Sequence, residues 1–295
     1  FQAEDGIRDR SPSRGLGDVY KRQGNLGAPA MGVEGAALAS SLSSVLGFLC
    51  LLVPFLARWG GAPRARARGL SLRELGRVMR FGAPNGVNWF LEFAAFQLFV
   101  NLVLGALGTH TLAAFNVVLS INMVSFMPAF GLASSGAILA GTAIGGGRRD
   151  QVWPAVRLTL AATCTWMGII GAVYALAPEA LLGLFAHGED RSVVELGASM
   201  LVLSAAWQLF DAIGLTLSET LRAAGDTAWT ALVRLVLAWF GFVPVAYYVV
   251  RYAGGGAVGA MLCLAAYIAL LAALLGYRFR SGAWKRIELI EPTLV

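Results

Sequence analysis

The chain has 295 residues, of which 57% are hydrophobic and 14% charged, with a mean hydropathy of +0.67 and an isoelectric point near 9.6. That balance excludes an ordinary soluble domain and identifies an integral membrane protein. The net charge of +6 comes mostly from arginines in short loops between apolar runs, which is a topology signal and not a nucleic-acid patch; no DNA-binding motif accompanies them.

Phe1 to Gln23 is polar, unpatterned and without the apolar centre of a signal peptide. It resembles translated adapter sequence and is set aside as non-native or disordered, the alternative being a short cytoplasmic tail. The native chain is expected to begin well upstream of Gly24. The first span is expected over Gly32 to Ala57, with Gly35, Ala36, Ala39, Ser40 and Ser43 allowing close helix packing. Arg58 to Arg80 then carries Arg58, Arg64, Arg66, Arg68, Arg73, Arg77 and Arg80, the strongest cytoplasmic marker in the chain. Its later part, LSLRELGRVMRFG, has an amphipathic pattern suited to the membrane surface.

Phe81 to Gly108 is long and apolar enough to cross a bilayer, yet holds Glu92 near its middle. A charge at that depth costs about 2.5 to 3.5 kcal/mol on insertion scales, so it belongs against protein, water or a cation. Asn85, Asn88, Glu92 and Phe96 share one helical stripe, which makes the asparagines candidates for the same site. Pro84 is expected in the first turn, where its missing N–H does no harm.

Gly108 to Thr111 reads as a tight outer loop. Leu112 to Ile144 is a long span containing Asn116, Ser120 and Asn122, with Pro128 expected to bend it. Gly145 to Asp150 is a basic inner turn and not a phosphate cradle, since no strand precedes it and no Gly-Lys-Ser/Thr follows. Asp150 and Pro154 suit the start of the next helix, Val152 to about Ala175. Pro178 to Ser192 reads as an acidic outer segment. Val193 to Ala223 holds the second anomaly, Asp211, with Ser204, Trp207, Gly214 and Ser218 on its face. Arg222 marks an inner loop and Asp226 suits a helix cap. Trp229 to Val250 is broken by Pro244, Arg251 to Gly256 turns outside, and Ala257 to Tyr277 exits into Arg278, Arg280, Lys285 and Arg286.

Basic loops follow alternate spans throughout, which implies roughly seven crossings and a cytoplasmic C-terminus. Gly32-Val33-Glu34-Gly35-Ala36 and Gly256-Ala257-Val258-Gly259-Ala260 open the first and last spans alike, an echo that points either to two equivalent lobes or to chance similarity of Gly/Ala-rich helices. Cys50, Cys164 and Cys263 each lie alone in apolar runs, and His110 and His187 lie in or near loops. That pattern offers no disulfide framework, zinc site or buried catalytic histidine.

Taken in order, GVEGAALAS, FGAPNGVNWFLEFAAF, LAAFNVVLSINMVSFMPAFGLASSGAILAGTAIGGG, LLGLFA and WQLFDAIGLTLSETLRAAGDT resemble the MATE (multidrug and toxic compound extrusion) family, in particular its NorM-like branch, from about Gly24 to the end. The resemblance implies an all-α membrane protein in which two bundles of about six helices face each other across a cavity. On that mapping residues 24–57 are the last helix of the first bundle, 58–80 the cytoplasmic inter-lobe loop, 81–280 the second six-helix bundle and 281–295 a cytoplasmic tail. The first five or so helices would be missing, and the partner implied is that absent lobe of the same chain. The family's cation site in the second bundle falls on Glu92 and Asp211, implying Na⁺ or H⁺ as coupling ion, with no resident cofactor. Trp207 stands one turn before Asp211 where the branch tends to place a tyrosine, and an indole offers no oxygen lone pair, which puts the choice of ion in doubt. The candidate binding residues are therefore Glu92, Asp211, Trp207, Asn88, Asn85 and Asn116.

The function implied is antiport of small amphipathic, often cationic compounds across the cell's inner membrane, not enzymatic turnover. The alternatives are a lipid-linked oligosaccharide flippase of the same superfamily, whose cavity would favour arginines, and a membrane-embedded enzyme, for which no histidine, serine–histidine or paired-aspartate centre is evident.

Overall fold

The computed structural model describes residues 32–57, 72–185 and 191–287. It divides into two units, Phe1–Arg77 and Val78–Val295, each described by itself. In the first unit the described span is α1, Gly32–Leu56, as the apolar run requires. The adapter-like segment 1–23 and residues 58–71 of the basic loop lie outside the described residues.

The elements that follow are α2 Leu72–Leu98, α3 Thr109–Gly145, α4 Val152–Leu176, α5 Pro178–Phe185, α6 Arg191–Ala223, α7 Thr227–Val236, α8 Val243–Arg251 and α9 Gly256–Arg280. Among the described residues seven helical stretches are long and apolar enough to cross a membrane. Strands do not occur among them. The chain is an all-α, multi-pass membrane protein.

α6 is the centre of the second unit and packs most extensively against α3, α4 and α9. Small residues set the approach. A Cβ on buried Gly136 of α3 would fall 2.1 Å from Oγ1 of Thr159 on α4, so the two backbones meet where glycine leaves room. Gly214 of α6 likewise faces the Ala272 backbone and Cβ on α9. Polar groups inside the bundle are tied across helices: Thr163 and Thr216 hydroxyls lie 3.0 Å apart, and Tyr174 Oη donates to the Ile121 carbonyl at 3.0 Å. The opposite faces of the helices present Leu102, Met127, Ile138, Leu158, Ile169 and Phe240, as lipid contact demands.

Several local expectations change. The amphipathic segment and the Glu92 span form one continuous helix, so Pro84 lies well inside α2 and not in its first turn. The run LRELGRVMR ahead of it is mostly Leu, Arg, Glu and Met, good helix formers that offset Gly76 and carry the helix up to the proline. Past Leu98 the chain winds as a π-helical segment, Phe99–Leu104, and a 3₁₀ turn, Gly105–Leu107. The expected bend at Pro128 involves no break, since α3 is a single helical element that contains this proline. The interruption expected at Pro244 is a π-helical segment, Leu237–Phe242, after which Pro244 sits at the start of α8, where its absent N–H is least missed.

The two turns expected to be inner both end their helices with glycine in the left-handed region. Gly147 at φ 73° and Gly225 at φ 85° each follow paired closures: Gly147 N–H to the Ile144 carbonyl with Arg148 to Ala143, and Gly225 to Arg222 with Asp226 to Leu221. Asp150 falls in a 3₁₀ turn ahead of α4 instead of capping it. Asp226 precedes α7 but gives its helix no side-chain cap. Its carboxylate is taken instead by Arg278 on α9, Nε at 2.7 Å and Nη2 at 3.2 Å, a bidentate fork between two charged groups. The outer segment contains the short helix α5, and beyond α9 a 3₁₀ turn seats Trp284 on Phe279 with ring centroids 5.5 Å apart.

Candidate functional site

Glu92 and Asp211 reach their places from different helices, α2 and α6, and a third helix completes the arrangement. Nη1 of Arg234 on α7 makes an ion pair with Oε1 of Glu92. Arg234 is nearly buried, its side chain 10% exposed against 24% for Glu92. The charges of both act on Asp211. The contact is a single one, since Glu92 Oε2 and Arg234 Nε are buried without a hydrogen-bond partner among the described residues. Beside it Trp239 Nε1 donates to the Leu91 carbonyl at 3.1 Å, fastening the π-helical segment after α7 to α2.

The π-helical segments after α2 and α7 meet at this level. Phe99 from one packs on Phe242 of the other with ring centroids 4.6 Å apart, and Phe242 stacks on Tyr267 of α9 at 4.9 Å. A π-turn shifts the register of all side chains beyond it, which is one reason such turns recur at functional sites. Here Phe99 also lies beside Phe96 of α2, their ring centroids 6.3 Å apart.

Asp211 lines a cavity of about 180 Å³ together with Phe96, Asn122, Met123, Phe126, Met167, Trp207 and Gln208. Among the described residues its carboxylate makes no ion pair within 4.0 Å. The wall behind it is cross-linked: Gln208 Nε2 donates to Asn122 Oδ1 at 2.7 Å, and Trp166 Nε1 donates to the Ser125 carbonyl at 2.9 Å. Trp207 is buried in the core and also faces the cavity. Drug-sized pockets run to roughly 300 Å³ or more, so this space is smaller than a whole pocket of that kind.

The residues singled out from sequence therefore separate. Asp211 and Trp207 line the cavity, whereas Glu92 is outside its lining and is bound to Arg234. Asn116 is half-buried and outside the cavity lining, its carbonyl accepting from Ser120 Oγ at 2.9 Å. Asn85 and Asn88 fall in α2, but their side chains lie outside what the structure describes. Sequence reasoning noted Asn122 and Arg234 within their spans but assigned neither of them, nor Gln208, to the site. The signal for Arg234 was available in principle: an arginine inside a span needs a carboxylate as much as a carboxylate needs a cation.

A second charged pair lies nearby. Arg222 Nη1 meets Glu219 Oε1 at 3.0 Å, and its guanidinium sits over the Trp89 ring at 5.2 Å. The charges of Glu92 and Arg234 also act on Arg222.

The MatE family matches residues 87–248, more than half of the chain. A probable multidrug resistance protein NorM of Thermotoga maritima is 27% identical over 263 residues, covering 89% of this chain and 56% of that protein. The multidrug resistance protein NorM of Burkholderia vietnamiensis is 30% identical over 265 residues, covering 87% and 56%. The chain thus spans just over half the length of these relatives. Among solved structures, an outward-facing multidrug resistance MATE family transporter aligns with a TM-score of 0.75 at 20% identity, over 87% of this chain and 58% of that one. An inward-facing MATE family transporter aligns with a TM-score of 0.67 at 21% identity, over 88% and 60%. With the match running over residues 87–248, a region that carries both Glu92 and the cavity-lining Asp211, the chain belongs to the MatE family.

Proposed function

We propose that this chain supplies the second bundle of a secondary exporter that extrudes small amphipathic, often cationic compounds in exchange for Na⁺ or H⁺. The observation that carries this reading is Asp211, a carboxylate without an ion-pair partner among the described residues, in the wall of a cavity lined by Phe96, Phe126, Trp207 and two methionines. Aromatic faces and a lone carboxylate suit an apolar cation, and Met side chains adapt to varied shapes. The setting is the plasma membrane, with the basic C-terminal end in the cytoplasm, and the working partner is a first bundle facing this one.

Transport depends on the coupling ion binding one conformation better than the other, and a group that cannot charge contributes no such difference. Asp211→Asn keeps shape and hydrogen bonding but removes the charge. The test is efflux of a fluorescent cationic dye from proteoliposomes holding the protein together with its first bundle, under Na⁺ and pH gradients imposed separately. Asp211→Asn and Glu92→Gln are each expected to abolish gradient-driven efflux, the double variant being little worse than either single. Wild-type efflux in both single variants under both gradients would make these carboxylates structural. A flippase for a pyrophosphate-linked lipid is disfavoured by the pairing of Arg234, which is committed to Glu92.

A further inference from the structure

We infer that Arg234 is a tethered counter-cation: it neutralises Glu92, so that the site presents the single negative charge of Asp211 and accepts one monovalent cationic head group at a time. This rests on the reading of the cavity as a site for cationic compounds and deepens it by setting the charge of what binds.

Two carboxylates, Glu92 and Asp211, act on one another within the bundle, and the guanidinium of Arg234 acts on both. Arg234 touches Glu92, not Asp211. The neighbouring Arg222–Glu219 pair joins one positive and one negative charge and adds no net charge. One negative charge is left, on the residue that lines the cavity. Because the charges act on each other at low effective dielectric, the sum over the cluster, and not Asp211 alone, governs what is attracted. A divalent head group would be left with excess positive charge, and a neutral one would leave Asp211 uncompensated. The cavity of about 180 Å³ has room for a small quaternary ammonium against Phe96, Phe126 and Trp207.

The role assigned to Arg234 makes an unusual demand of its variants. Glu92→Gln leaves Arg234 charged and unpaired, which brings the cluster to neutrality even though Asp211 is intact. Removing Arg234 as well restores one negative charge. The experiment is equilibrium binding of radiolabelled tetramethylammonium to the purified protein in detergent micelles, with thermal midpoints recorded for every variant. Wild type is expected to bind one equivalent, Glu92→Gln to bind about tenfold more weakly or worse, and Glu92→Gln/Arg234→Met to return close to the wild-type affinity. Arg234→Lys, which keeps the charge, is expected to bind as wild type does. If Glu92→Gln alone fails to fold, the double variant still decides, because it contains neither partner of the pair. A folded double variant that fails to bind makes Glu92 a direct ligand and overturns the role of Arg234 while leaving the cationic-substrate reading standing. Wild type that binds no tetramethylammonium overturns both.

Discussion

Gln208 on α6 donates its amide to Oδ1 of Asn122 on α3 across 2.7 Å, at the cavity that Asp211 lines. The bond ties the central helix to α3 in the wall of the cavity, which both residues line. Gln208 is 1% exposed, and its Oε1 finds no other partner among the described residues. Replacing Gln208 by Leu leaves the Asn122 oxygen without its donor, and Asn122→Leu does the converse. Each single change is expected to destabilise by about 1 kcal/mol, with the double Leu variant costing less than the sum of the singles. Thermal unfolding in detergent, arranged as a double-mutant cycle, measures the coupling; strict additivity would show the bond to be incidental.

The Asp226–Arg278 pair joins the turn after α6 to the end of α9. Asp226 is 4% exposed and Arg278 25% on their side chains, and the guanidinium also lies 5.1 Å from the Trp229 ring centroid. Arg278→Met strands a buried carboxylate and is expected to cost about 1.5 to 3 kcal/mol. Arg278→Lys keeps the charge but loses the fork and the planar stacking, so it is expected to fall between Met and wild type. Equal unfolding midpoints for Lys and wild type would reduce the contact to charge alone.

Close approach of α3 and α4 depends on Gly136. Gly136→Ala places a methyl 2.1 Å from Thr159 Oγ1 and 2.8 Å from Thr159 Cβ, so a backbone must shift. The expected cost is about 1 to 3 kcal/mol. Thr159→Ala removes the nearest atoms but keeps Cβ, and in the Gly136→Ala background it should rescue part of the loss and not all. Unfolding midpoints of the four combinations check this, and an unshifted Gly136→Ala would mean that the two helices separate without penalty.

The orientation in the membrane follows from arginine. The turn at Gly147 to Gln151 and the end of the chain from Arg278 onward are expected to face the cytoplasm, whereas the turn at Ala253 to Gly255 faces outside. Single cysteines at Arg148 and at Ala253, in a background without Cys50, Cys164 and Cys263, should be labelled differently by an impermeant thiol reagent in intact cells. Labelling at position 148 but not at 253 would invert the topology.

Much of this molecule is local and was therefore legible from the chain alone. Spans are runs of apolar residues whose length is set by the bilayer, and α1, α3, α4, α6 and α9 begin and end within a few residues of those runs. The turns at Gly147 and Gly225 follow from backbone sterics at single residues. Glu92 and Asp211 stood out because a carboxylate at bilayer depth is costly wherever its partner lies. The partner itself was not legible. Arg234 is 142 positions away from Glu92 in the chain, and no helical period relates residues on separate helices. The same holds for Asn122 and Gln208, which are 86 positions apart, and for Asp226, whose local role as a cap lost to a charged donor from α9. Sequence decided which groups had to be satisfied inside the membrane. Tertiary packing decided which groups satisfied them, because inside a bilayer unmet charge and hydrogen bonding are answered by whichever helix is brought alongside.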